Sequence, residues 1–267
     1  MRIIITTLMI LIWTISYGQF EKYKGTWISD SQDVMIINDT IKAFNVSNKL
    51  CDGNRRIEGG FQLLGDTLRF LYYYSTTDFN QSYIDSYDLI VSELTDTSIT
   101  ITPSSDLSAK FLNERTNIKF IKQEFNRDKS IVFEKIIYHS SKCYWNCPII
   151  DLEITSDKNI YFAGRFYKGI YGFDHAKSGH FTGMLSDSLY NELIDILQTC
   201  NLRTLTFPSR SGADAPIVTL IIYYNGQKKC LYSMFPPAIT DRLIDFLHHI
   251  NERVSLTRTN EIMVLEY

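Results

Sequence analysis

Two cysteines four apart, Cys143 and Cys147, enclose Tyr144-Trp145-Asn146 and run directly into Pro148. A thiol pair at this spacing can be a structural disulfide, a redox couple or part of a metal site. Redox use favours a first thiol at a helix N-terminus, where the local field lowers its pKa. Here a strand-like run follows Pro148, so that support is missing. An extended segment would hold the sulfurs too far apart, so a bridge requires a tight turn through Tyr144 to Asn146. A structural disulfide is the expectation. His139, Cys143 and Cys147 would share one face of a helix and suggest zinc. A structural site needs a fourth ligand, however, and the strand signals on both sides oppose a helix, so no metal site is expected.

Two polar stretches gather further reactive groups. Asp174-His175-Ala176-Lys177-Ser178-Gly179-His180 combines acid, base and hydroxyl, but no nucleophile-elbow or zinc-helix pattern frames it, and it reads as a surface loop. In Ser209-Arg210-Ser211-Gly212-Ala213-Asp214, Asp214 either caps a turn before Pro216 or joins Arg210 and Arg165 at the edge of a binding cleft. Arg165, Arg210 and Asp214 are therefore the candidate binding residues, and no residue is assigned as catalytic. His248-His249 lies on the last expected helix with at least one ring exposed.

The elements that must position these groups lie in residues 130–254. A strand is expected at 131–138. Ile150, Leu152 and Ile154 alternate with Asp151, Glu153 and Thr155, giving a half-buried strand that turns at 156–159 into 160–167. Ser186 suits the N-cap of a helix whose stripe is Leu189, Leu193, Ile196, Leu197 and Cys200. Asn225-Gly226 predicts a two-residue hairpin between 217–224 and 227–234. Thr240 is expected to cap a second helix striped by Leu243, Phe246, Leu247 and Ile250. The reading is an α+β domain, an antiparallel sheet with two helices on one face. The hairpin sets Ile221 opposite Cys230. With Cys200 on the helix stripe, both cysteines are expected in the helix–sheet layer, either as packed thiols or as a second disulfide.

Residues 20–129 read as all-β. Short runs meet across 38–40, Gly65-Asp66 and 95–97, which are hairpin signals, and about eight strands with almost no helical period imply a barrel or sandwich of meanders. Gly25-Thr26-Trp27, the hairpin series and the run 94–101 resemble the small lipocalin-like domains of exported bacterial proteins. That resemblance implies an antiparallel β-barrel with Trp27 packed across one end and room for a small apolar ligand. The residues themselves leave open a barrel filled by its own side chains. In the second domain, Cys143-x-x-x-Cys147-Pro148, Tyr161-Phe162-Ala163-Gly164, the Ser-capped helix and Asp214-Ala215-Pro216 resemble an exported bacterial domain of unknown function. This resemblance supports the domain boundary and carries no activity.

Composition bounds the rest. With 267 residues, 45% hydrophobic and 21% charged, the chain has material for two globular domains. Its net charge of -3 is made of interspersed charges without a basic cluster, which argues against a nucleic-acid surface. Residues 1–19 carry Arg2, an apolar run at 3–15 and Ser16-Tyr17-Gly18, the pattern of a cleaved secretory signal. With no second apolar span, no transmembrane anchor is expected in the mature chain, and the product is expected to be soluble, periplasmic or extracellular. Such compartments permit disulfides. There are five cysteines, so at least one is unpaired within the chain, and Cys51 in its polar loop is the natural odd one. Residues 255–267 read as a tail. No cofactor is expected. The leading reading is an exported non-catalytic protein that binds a small apolar ligand or an envelope protein. The alternative is an enzyme, either a thiol redox protein using Cys143 and Cys147 or a hydrolase built around His180 and Asp214.

Overall fold

The computed structural model describes residues 20–46, 55–76, 81–144, 146–169, 172–208, 212, 214–262 and 264. The stretch read as a secretory signal, Cys51 and Arg210 lie outside them. Two compact units divide the chain, the second running from Asn126 onward.

The first unit is an antiparallel sheet in the order β4-β3-β2-β1-β9-β8-β7-β6-β5, curled into a nearly closed barrel. Its strands are β1 (Gly25–Ser29), β2 (Val34–Ile37), β3 (Lys42–Val46), β4 (Arg55–Glu58), β5 (Gly60–Leu64), β6 (Thr67–Ser75), β7 (Ser82–Leu94), β8 (Ser98–Pro103) and β9 (Ile118–Lys122). The expected hairpins form, for instance Leu64 opposite Thr67 across Gly65-Asp66. Gly59 and Gly60 join the two end strands against β6. A Cβ on Gly60 would lie 2.8 Å from Leu71 Cδ1, so the chain can turn this corner only without a side chain.

Alternation directs Met35, Ile37, Phe44, Leu68, Phe70, Leu89, Ile99, Ile101 and Phe120 inward, all fully buried. A short helix α1 (Asp106–Phe111), capped by Ser105, adds Phe111. Phe44 then touches Phe70, Phe111 and Phe120, with centroids 5.7, 5.5 and 5.8 Å away. These rings pack against one another as the core of the first unit. Trp27 is fully buried, donates to the Tyr23 carbonyl at 2.8 Å and lies under the Lys122 ammonium. Beside it, the carboxylate of Asp33 is fully buried and accepts both arms of the Arg115 guanidinium at 2.7 and 3.0 Å, with Ser29 donating at 2.5 Å.

The second unit is built on a seven-stranded antiparallel sheet, β17-β16-β10-β11-β12-β15-β18. These are β10 (Phe133–Ser140), β11 (Ile149–Thr155), β12 (Asn159–Arg165), β15 (Gly179–Met184), β16 (Val218–Tyr224), β17 (Gln227–Ser233) and β18 (Thr257–Thr259). A separate hairpin pairs β13 (Tyr167–Lys168) with β14 (Gly172–Phe173). Helices α2 (Asp187–Thr199), α3 (Asp241–His248) and α4 (Ile250–Arg253) complete it. Ser186 caps α2 as expected, accepting from the Leu189 amide. Thr240 does not cap α3, because a 3₁₀ turn precedes the helix and its hydroxyl donates to the Pro237 carbonyl. Two expectations are overturned: 179–184 is a strand rather than a loop, and the supposed tail contributes β18. Neither carries a clear alternation of apolar residues, and both are held by ladder bonds to neighbours, His180 opposite Ala163 and Phe181 opposite Arg258.

Ile136, Tyr138, Ile150, Leu152, Ile154, Phe162, Leu220 and Ile222 alternate onto one buried face. The helices lie on this face, as the Tyr138 hydroxyl, 2.9 Å from His248 Nδ1, marks. Cys200, at the end of α2, is also fully buried, and burial pushes its thiol up to about 12. Cys230 is opposite Ile221 as read, yet it is exposed and both thiols are free, so the second disulfide is not formed. The run Val218 to Ile222 is apolar on both sides, which hides which side meets the helices. Lys229, not Cys230, turns into the layer and donates to the carbonyls of Leu202 and Arg203 at 2.8 Å each.

Replacing Asp33 by Ala leaves a part-buried guanidinium without its carboxylate, a loss of about 3–5 kcal/mol. Guanidinium denaturation should show the first unit unfolding at markedly lower denaturant, and a shift below about 1 kcal/mol would remove the pair from this account. In the second unit, burial first and His249 second hold the pKa of His248 below its ordinary 6.5. As pH falls through about 6.5 the unfolded chain takes up this proton before the folded one, so stability drops. The difference in denaturation midpoint between about pH 7.5 and 5.5 should therefore narrow in His248→Asn. An unchanged difference would assign the pH dependence elsewhere.

Candidate functional site

The face of the second sheet turned away from the helices carries one cross-strand row of polar groups. Asp151 alternates with the buried Ile150 and Leu152, so it must point to this face, and register sets His139 opposite it on β10. His139 Nδ1 and Asp151 Oδ1 are 2.7 Å apart. On the other side of Asp151 the row continues through Ala163 to His180. Tyr161, one place along on the same face, brings its hydroxyl to 2.6 Å from His180 Nδ1, which directs His180 Nε2 away from the sheet. Ile137, Tyr161 and Ile221 form a small buried cluster beside this row, joined by Tyr223 and Ala163. The ammonium of Lys135 lies over the Tyr223 ring at 4.9 Å.

Ala163 is the small member of the row, and above it opens a pocket of about 430 Å³. Ile149, Asp151, Ala163 and Gly164 form its floor, while Arg165, Phe173, His175, Ser178 and His180 form its walls. The walls are built by backbone bonds. Asp174 donates its N–H to the Phe166 carbonyl at 3.0 Å and accepts from the Ser178 N–H at 2.9 Å. Asp174 Oδ1 accepts from the Ala176 and Lys177 amides, and the Ser178 hydroxyl accepts from the Phe166 N–H. Arg258 on β18 donates to the carbonyls of His175 and Ala176 while its guanidinium lies over Phe181 at 4.8 Å. Arg165 extends over the Phe173 ring at 5.7 Å, and His175 flanks that ring at 6.2 Å.

The disulfide loop stands at one end of this pocket. Cys143 and Cys147 are joined, with Cα atoms 5.5 Å apart, and Cys143 is buried. The Cys147 N–H points at Cys143 Sγ, 3.3 Å away. Asn146 donates from its side chain to the Gly169 carbonyl at 2.7 Å. Two residues after Cys147 comes Ile149, opposite Arg165 in the ladder.

Of the residues read as candidates, Arg165 and His180 share this pocket. Asp214, exposed and at a positive φ of 74°, precedes β16. Its strand lies three places from β12, about 14 Å across the sheet, and four from β15. Asp214 is not among the residues that line this pocket, whereas Arg165 and His180 are. His139 sits on a strand, not on a helix shared with the two cysteines, and it takes Asp151 as its partner. Among the described residues no three His, Cys, Asp or Glu side chains converge as a metal site. Ser178 uses its hydroxyl on the backbone of Phe166 in both directions rather than on a neighbouring base. The pocket offers instead a permanent cation, two imidazoles and a hydroxyl around a small apolar floor, with one carboxylate engaged by His139.

The His139–Asp151 pair and Tyr161–His180 were not read from the sequence. The polar phase of Ile150-Asp151-Leu152-Glu153-Ile154 carried the signal for the first. The second needed recognition that 179–184 is a strand.

No curated protein matches the chain and no solved structure does. The model of a family described as a domain of unknown function (DUF6438) matches residues 134–253, which span β10 through α4 and include the pocket floor, both cysteines and Phe173 but end before β18 and Arg258. The second unit therefore carries a domain of unknown function similar to that family.

Proposed function

We propose that this is an exported, non-catalytic binding protein whose ligand is a small solute bearing a carboxylate or phosphate, seated in the pocket over Ala163. The observation that carries the reading is the meeting of Arg165, His175 and His180 around a floor of Ile149 and Ala163. Arg is always charged and presents donors in a fork matched to an oxyanion, and neutral imidazole can add another donor. The size falls within the range of small-molecule sites. Export rests on the pattern of residues 1–19; a paired Cys143 and Cys147 suits an oxidising compartment. Among the described residues no helix is long and apolar enough to cross a membrane.

Isothermal titration of the purified protein with inorganic phosphate, benzoate and the neutral isostere benzamide tests the reading. Phosphate or benzoate should bind and benzamide should not. Arg165→Ala should weaken the oxyanion by about tenfold to a hundredfold, the worth of a lost charged hydrogen bond. Equal binding of benzamide, or full affinity in Arg165→Ala, would reject the site.

A further inference from the structure

The disulfide loop and the pocket wall are one mechanical unit. Asn146 lies inside the ring closed by Cys143 and Cys147, and its side chain holds the carbonyl of Gly169 at 2.7 Å. Gly169 follows β13 directly, at a φ of 68° that favours glycine. The partner strand β14 ends in Phe173, whose ring stacks on Tyr167 at 5.2 Å and carries Arg165 and His175 on the pocket side. The hairpin is short, with only the pairs Tyr167–Phe173 and Lys168–Gly172, and belongs to neither large sheet. A two-strand ribbon of this length is not stable alone. It must be held from outside, and Asn146 is one such hold. The same loop also feeds Ile149 into the floor opposite Arg165.

We infer that the Cys143–Cys147 bond is a redox latch on the pocket: oxidised, it fixes Asn146 and hence the Phe173 wall, and reduced by a dithiol, it releases both. This rests on the pocket being the binding site. The chemistry is thiol–disulfide exchange. A thiolate of the dithiol attacks Cys147 Sγ, the less buried sulfur's residue, forming a mixed disulfide and expelling Cys143 as a thiolate that takes a proton. The dithiol's second thiolate then attacks its own mixed-disulfide sulfur, forming the reductant's internal disulfide and expelling Cys147, which is protonated in turn. Two electrons and two protons pass from the dithiol to the cysteine pair. Because the coupling is a binding free energy, it is reciprocal: whatever factor reduction takes from ligand affinity, bound ligand adds to the disulfide's resistance to reduction.

Hydrogen exchange followed by mass spectrometry, on the oxidised protein and on protein reduced with dithiothreitol under native conditions, tests the latch without any ligand. Peptides covering 166–178 should exchange about tenfold faster after reduction, the scale of one lost hydrogen bond, while 136–138 and 152–154 in the sheet centre stay unchanged. Asn146→Ala should reproduce the acceleration with the disulfide intact. Unchanged exchange at 166–178 after verified reduction overturns the latch. Equal acceleration of the sheet centre overturns it too, making the bond a general staple. Phosphate and benzoate titrations on both redox forms separate the two ideas. Failure of both probes to bind the oxidised form, with the exchange response intact, condemns the ligand assignment and leaves the latch standing.

Discussion

The second unit depends on one constraint: an antiparallel sheet whose side chains alternate strictly can bury only one phase of residues under its helices. Once Ile150, Leu152, Tyr138 and Phe162 are committed to the helix layer, Asp151, His139, Ala163 and His180 have no choice of face. A slip of one residue would bury Asp151 and His139 among leucines and isoleucines, where each polar group would need a new partner or cost several kcal/mol, about 2–7 for each unpaired one. The polar row is therefore specified by the hydrophobic pattern of its neighbours. The apolar cluster of Ile137, Tyr161 and Ile221 lies on the same face, with Tyr223 packed against it and the ammonium groups of Lys135 and Lys228 over the Tyr223 ring.

The same alternation in the first unit has the opposite outcome. There the sheet curls on itself, and the inward phase is mostly aromatic and aliphatic. Phe44 alone contacts three other rings. A barrel of this kind is a core. Among the described residues of this unit one carboxylate, Asp33, is deeply buried, and it is met by a bidentate guanidinium and a hydroxyl, so its hydrogen-bonding capacity is met inside the fold. The long arms of β6 and β7 show where burial ends: Phe70 is fully buried, while Tyr72, Tyr73 and Tyr74 beyond it are all exposed. Alternation alone does not reveal where a strand outruns its sheet, so this run gives no sign in the sequence of where burial stops.

What was legible divides along physical lines. Hairpins marked by Asn-Gly or Gly-Asp turns, the Ser186 cap and the half-buried strand of 150–155 rest on local chemistry and were read correctly. The turn that joins Cys143 to Cys147 was read from the spacing and from Pro148. Residues whose place depends on partners distant in sequence were not legible. His180 lies on a strand bounded by Gly179 and interrupted by Gly183, and only β12 and β18 on either side make it one. Arg258 looked like tail because its work, holding the carbonyls of His175 and Ala176, is done more than eighty residues away in sequence. Cys230 was paired correctly and placed on the wrong face, since a run apolar on both phases is symmetric until the helices choose a side.

The disulfide can be weighed in the same terms. It closes a ring of sequence separation 4, and a loop that short removes little freedom from the unfolded chain, about 2 kcal/mol at most in the loop-entropy view. That is small beside the burial of a whole sheet face, where each large apolar side chain contributes about 1.5–3 kcal/mol. A bond so placed therefore adds little to global stability and much to local geometry. Beyond Ser141, whose N–H still bonds to the Ile217 carbonyl, the chain leaves β10 for the disulfide loop, and the ring places Asn146 where it holds Gly169. On the far side, Arg258 holds the 174–178 segment from β18. The pocket wall is thus held on one side by the Asn146 hydrogen bond from the disulfide ring and on the other by the Arg258 guanidinium donating to two backbone carbonyls, and both Asn146 and Arg258 are exposed. The Asn146 side of such a wall can loosen without unfolding the sheet beneath it, because the ladder through β10, β11 and β12 and the helix layer that position Asp151 and Ala163 do not pass through that hydrogen bond.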